Sequence, residues 1–221
     1  MNHLAQTFVL LSGLAPKLLA GFVTTVILAL AAMPLALAFG LILLVPRMER
    51  HAGLVVPTVA FIELMRNTPL LLQIYLIYFG LPLFGLYPSE FTCGVLGIAL
   101  QHGAFLTETY RGAIESIDRR QWDAARGIGM QRLTAFRHVI LPQALLKILG
   151  PLGNQMIVLV KDTSLVSAIG VMDLTMTGKM AIERSAASAE IFVAIGLMYL
   201  LLTSTIGGAM RFIESRNAGR Y

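Results

Sequence analysis

Cysteine is nearly missing from this chain. Cys93 is the single one in 221 residues, so no internal disulfide is available, and four scattered histidines make no ligand cluster of the usual spacing. Charge is scarce too, at 13% of residues against roughly one quarter in an average globular chain. No G-x-x-x-x-G-K-[ST] occurs. The only Gly-Lys pair, Gly178–Lys179, is followed by Met180, so the phosphate cradle that needs a glycine loop and its lysine at a helix start is not encoded. Neither G-x-S-x-G nor H-E-x-x-H occurs, which argues against an intramembrane hydrolase and leaves no catalytic or metal-ligating residue to nominate.

What the chain has instead is apolar length. Hydrophobic residues make up 57% and the mean hydropathy is +0.76. A run of roughly 20 apolar residues crosses the hydrocarbon core, and five such segments are expected as transmembrane helices: 18–45, 54–86, 91–109, 145–171 and 190–212. The second carries Pro57, Pro69 and Pro82, and the third is diluted by Gln101, His102 and Glu108. No strand pattern occurs, and only helices or closed barrels satisfy backbone groups in lipid. The expected class is all-α, one polytopic membrane domain over residues 1–221. An "ALA" at Ala36–Ala38 resembles a signal-peptidase site, but the preceding apolar run far exceeds the roughly 7–15 residues of a signal h-region.

Five spans put the termini on opposite sides, and Lys and Arg decide which is which. Twelve basic residues fall on one side (Arg47, Arg50, seven in 111–147, Arg211, Arg216 and Arg220) against Lys17, Lys179 and Arg184 on the other. The N-terminus is therefore expected outside and the C-terminus in the cytoplasm. The net charge of +5 reads as this loop bias rather than as a nucleic-acid surface.

The cytoplasmic segment 118–142 has structure of its own. Asp118 and Gln121 have capping-box spacing, and Gly127 and Gly129 offer the freedom to end a helix and turn. A second helix is expected over 131–140, with Leu133, Phe136 and Ile140 on one apolar stripe, Arg132 and Arg137 off it, and Pro142 as its stop. A basic amphipathic helix can lie on anionic lipid or dock by its apolar face into a partner's groove. The helix–Gly–helix reversal favours the second, although periodicity alone permits both.

"DAARGIGMQRLTAFRHVILP" resembles the EAA loop of ABC-importer permeases, E-A-A-x-x-x-G followed by nine residues and I-x-L-P. Asp123, Ala124, Ala125, Gly129, Val139, Leu141 and Pro142 fall on it, with Asp for glutamate and Val for isoleucine as departures. "ELMRNTPLLLQIYLIYFGLP", "LTETYRGAIESI" and "KDTSLVSAIGVMDL" are similar to the polar amino-acid branch of that family. The resemblance implies that the loop is the coupling segment for an ATPase, with Leu133, Phe136 and Arg137 among the contacts. It also implies two ATPase subunits that bind ATP and Mg, a second permease (a copy or a paralogue), and an extracytoplasmic solute-binding protein. No cofactor belongs to this chain itself. Gln131 stands where Ser or Thr often caps the second helix, so weaker capping is expected there.

Ionisable residues inside a membrane are functional candidates by default. Glu63 and Arg66 are one turn apart and can pair. Glu108 and Arg111 repeat that spacing and read as an interfacial pair. Asn154 and Lys161 share one helical face while Gln155 and Asp162 share the next, which makes a polar wedge. A free amino acid offers an ammonium for Asp162 or Glu63, and a carboxylate for Arg66 or for amides near Thr163–Ser164. Tyr75, Tyr78 and Phe79 read as packing or an interface belt, and "GVMDLTMTGKM" as packing or loop. The competing function is a self-sufficient secondary carrier or channel. Carriers commonly show paired internal repeats; none is visible, and five spans do not halve.

Overall fold

The computed structural model describes residues 3–185 and 187–217. It is built from ten α-helices with short 3-10 and π segments between them, and contains no strand among the described residues. α1 (His3–Arg47) is the longest and carries Pro34 and Pro46 without ending. α4 (Glu90–Glu115) lies against it along the most extensive helix–helix contact of the fold. At this crossing a Cβ on Gly40 would sit 2.9 Å from Leu106 Cβ, and one on Gly103 would sit 2.6 Å from Phe39 Cδ1. Two missing side chains thus set the distance between the helices. Thr107 Oγ1 donates across the gap to the Gly40 carbonyl at 3.2 Å and back to Gly103 at 2.9 Å. Leu28, Ala32, Ala36, Ile98 and Leu106 fill the rest of this core.

The second expected span, 54–86, is not one helix. It divides into α2 (Ala52–Asn67), α3 (Leu70–Gly80) and a 3-10 turn (Leu81–Phe84), with a bend of 107° between the halves. Pro69 causes the break. It has no N–H for the carbonyl of Met65 and holds the preceding Thr68 in extended backbone. Two buried amides take over. Gln73 Nε2 donates to Met65 O (2.8 Å), Thr68 O (3.3 Å) and Thr68 Oγ1 (2.7 Å). Gln101 Nε2, reaching from α4, donates to Met65 O (3.0 Å) and Thr68 O (2.9 Å).

The fourth expected span, 145–171, is also bent. α8 (Leu149–Asp162) follows α7 (Leu141–Lys147) at 47° and continues as a 3-10 helix over Thr163–Ile169. "GVMDLTMTGKM", read as packing or loop, mostly forms α9 (Leu174–Ser185), with buried Asp173 at its start accepting from Met176 N at 2.8 Å. α10 (Ser188–Asn217) closes the bundle against α8 and α9.

α1 and α10 are each long and apolar enough to cross a membrane, and each bent pair qualifies if counted as one span. α4 has the length, 26 residues or about 39 Å at 1.5 Å per residue, but not the composition. Its polar side chains Gln101, His102 and Thr107 are all buried by neighbouring helices, so lipid would not meet them.

Candidate functional site

The segment 118–142 forms an elbow. Asp118 caps α5 (Arg119–Gly127) by accepting from Arg120 N at 2.8 Å, so the expected box with Gln121 is replaced by a bond one residue earlier. Gly129 turns the chain at φ +85°, a left-handed conformation that suits glycine, while Gly127 simply ends the helix. Gln131 makes no side-chain cap on α6 (Arg132–Ala135), in keeping with the weak capping expected there.

Pro142 does not stop the helix. The turn before it widens into a π segment (Phe136–Ile140), in which Leu141 N reaches back to Phe136 O, and α7 follows with Pro142 in its first turn. The wider turn relieves the clash a proline ring would otherwise make with the carbonyl four residues back.

The apolar stripe divides by depth. Ile140 is fully buried with Ile114, Ile117 and Ala144, and Phe136 stacks on Trp122 at 6.4 Å between centroids. Ala125 and Ala135 are buried where α5 and the second arm meet. Leu133 and Ile128 are left 77% and 75% exposed. Phe136, expected as a contact for a partner, also takes part in the elbow's own packing, and Leu133 is its projecting tip. Val139 packs beside Phe136 while Leu141 and Pro142 are half-buried; Asp123, Ala124, Gly129 and Arg137 are exposed. A polar cleft lined by Arg50, Arg119, Asp123, Arg126 and Arg132 lies beside the elbow. Lys147 Nζ ties it to the end of α4 through Ser116 O at 2.8 Å.

The second group of candidates converges on α4. His102 is 1% exposed and lies between two members of the wedge. Its Nε2 is 3.0 Å from Asp162 Oδ2, and its Nδ1 is 2.7 Å from Gln155 Nε2. Gln155 and Asp162 therefore share a face as their spacing required, and Asn154 and Lys161 are exposed on another. Three residues along α4, the Phe105 ring receives the Arg66 guanidinium at 5.3 Å. Arg66 also lies 3.5 Å from Glu63, which is exposed and accepts from Asn67 Nδ2 at 2.8 Å. Buried Arg66 Nε and Gln73 Oε1 have no hydrogen-bond partner among the described residues.

Two expectations change here. The amide of Thr163 is engaged with Leu159 O and Lys161 O, because the helix runs on as 3-10, so it is not an open carboxylate site. Ser164 is half-buried and its carbonyl accepts from Ser167 Oγ at 2.8 Å. Glu108 is more than half of an i,i+3 pair: Arg47 of α1 donates to it at 2.7 Å and Arg111 at 2.7 and 2.8 Å, with Arg111 also bonded to Glu115.

Sequence reasoning missed Gln73, Gln101 and His102. A signal is present for His102, an ionisable residue inside an apolar segment, but its partners lie too far along the chain for a local pattern to name them. Outside the expected spans, burial pushes the Asp173 carboxyl up, partly offset by hydrogen bonds from Met176, Thr175 and Tyr199.

The comparisons with known proteins agree with this architecture. The glutamine transport system permease protein of Escherichia coli (strain K12) is 40% identical over 158 residues, covering 71% of this chain and 72% of its own. The octopine transport system permease protein of Rhizobium radiobacter is 36% identical over 219 residues, covering 95% and 86%. A crystal structure of an amino acid ABC transporter with histidines superposes with a TM-score of 0.90 at 32% identity, over 98% of this chain and 99% of that one. Residues 7–219 match a family model, and the chain belongs to that family, the binding-protein-dependent transport system inner membrane components.

Proposed function

We propose that this chain is the transmembrane subunit of an ATP-driven importer that moves a polar amino acid handed over by an extracytoplasmic binding protein. The family membership carries the reading, and relatives named for glutamine and octopine transport support the substrate class. Five crossings follow if α4 spans within the shelter of α1, α2, α3 and α8. The basic loops then put the elbow and the C-terminus in the cytoplasm.

The elbow is the grip of a separate ATPase, which binds ATP and Mg; a second permease, a copy or a paralogue, completes the pathway. Leu133 and Ile128, exposed at the tip of a packed support, suit a groove on that motor. Asp162 or Glu63 receives the substrate ammonium and Arg66 its carboxylate. That the buried Arg66 Nε has no hydrogen-bond partner among the described residues supports that role.

Asp162→Asn tests the pathway reading. Uptake of radiolabelled L-glutamine, L-arginine and L-histidine by cells expressing the whole transporter should be lost, with the complex still assembling. Normal uptake of all three removes Asp162 from the pathway.

A further inference from the structure

The contact of His102 with two wedge residues has a chemical direction. A primary amide nitrogen only donates, so Gln155 Nε2 at 2.7 Å makes His102 Nδ1 the acceptor. The ring proton must then sit on Nε2, which faces Asp162 Oδ2 at 3.0 Å. We infer that Gln155 and His102 form a positioning relay, in which an imidazole of fixed tautomer holds the Asp162 carboxylate oriented for a substrate ammonium. This rests on the reading of Asp162 as a pathway residue and adds the groups that orient it.

Three observations support the relay over simple packing. His102 is buried at 1% exposure, so its polar atoms depend on these partners. Both ring nitrogens lie within hydrogen-bond distance of a wedge residue, Nδ1 at 2.7 Å from Gln155 Nε2 and Nε2 at 3.0 Å from Asp162 Oδ2. The Asp162 side chain is 30% exposed, and its described hydrogen bond engages Oδ2, which leaves Oδ1 for a second donor. An imidazolium in the same place would cancel the charge an ammonium needs. Lys161, next in sequence, is exposed on another face and does not replace the imidazole.

The test combines a spectroscopic and a kinetic measurement. Ring 15N shifts of His102 in the full-length chain, in lipid nanodiscs, should show a protonated Nε2 and a bare Nδ1. Gln155→Glu should draw a proton onto Nδ1 and give the imidazolium pattern. For transport, His102→Gln keeps both an acceptor and a donor, and should retain uptake of radiolabelled L-glutamine, L-arginine and L-histidine within about threefold. His102→Leu should lower maximal uptake at least about tenfold, as expected for losing a hydrogen bond to a charged group. The apparent KM, set by the external binding protein, should not move.

A bare Nε2, an imidazolium in the unaltered protein, or His102→Gln as damaging as His102→Leu at equal membrane levels would overturn the relay. Should His102→Leu fail to assemble, the nitrogen shifts and Gln155→Leu, expected to reduce maximal uptake severalfold, still decide it. The two readings separate cleanly. Normal uptake by Asp162→Asn removes the pathway role with the tautomer intact. Loss of uptake by Asp162→Asn with normal uptake by His102→Leu removes the relay alone.

Discussion

The break between α2 and α3 offers a double-mutant cycle whose outcome follows from the donor geometry. The carbonyls of Met65 and Thr68 each accept from both Gln73 Nε2 and Gln101 Nε2. Replacing one glutamine by leucine leaves each carbonyl a remaining side-chain donor. The loss is then about one net hydrogen bond, roughly 1 kcal/mol. Gln73→Leu should be the milder change, because it also removes the buried, partnerless Oε1. The double variant is different. Pro69 cannot supply an N–H to Met65, so the carbonyls of two half-buried residues lose every side-chain donor at once, at about 1–3 kcal/mol each. The double change should therefore exceed the sum of the singles by about 2 kcal/mol, with the excess in the coupling energy. Reversible unfolding in mixed micelles, followed by circular dichroism, measures all three variants. Additive effects within about 0.5 kcal/mol would refute the clamp and leave Pro69 alone as the cause of the 107° bend.

Other substitutions probe separate links. Gly103→Val at the α1–α4 crossing should destabilise by about 1–3 kcal/mol in the same assay, since Phe39 is held against Phe61 at 5.8 Å and cannot simply swing aside. Leu133→Glu should leave stability within about 0.5 kcal/mol yet abolish co-purification of the ATPase, whereas Phe136→Ala, which breaks the stack on Trp122, should lower stability first. The Asp173 carboxyl is raised in the fold, so the folded chain holds its proton where the unfolded chain has lost it. Stability should fall as pH rises from the ordinary carboxylate range through the raised value, and Asp173→Asn should flatten that stretch of the profile.

Much of this could be read from residue order, for identifiable reasons. Apolar length located α1 and α10, and the spacing of Asn154, Gln155, Lys161 and Asp162 divided them onto the faces they occupy. The Asp118 cap and the turn at Gly129 were legible because both depend on neighbours within a few residues. What escaped depends on distant parts of the chain. Pro69 announces a break but not its angle, because one of the amides that meet the freed carbonyls, Gln101, comes from another helix. Pro142 reads as a stop because a π turn that tolerates it leaves no local pattern. The polar residues that dilute the third expected span are sheltered in α4 by helices that the local window does not contain. The role of His102 leaves no local pattern because its partners lie 53 and 60 residues away.

The central claim is that motion enters this chain from a separate motor through the exposed tip of the elbow. The direct measurement is ATP-dependent uptake of the same labelled amino acids into vesicles holding the complete transporter and its binding protein, compared with vesicles in which Ile128 and Leu133 are both glutamate. The unaltered complex should accumulate solute only while ATP is hydrolysed, and the doubly substituted one should not accumulate it at all. Full accumulation by the substituted complex, or by this chain alone without nucleotide, would contradict the claim.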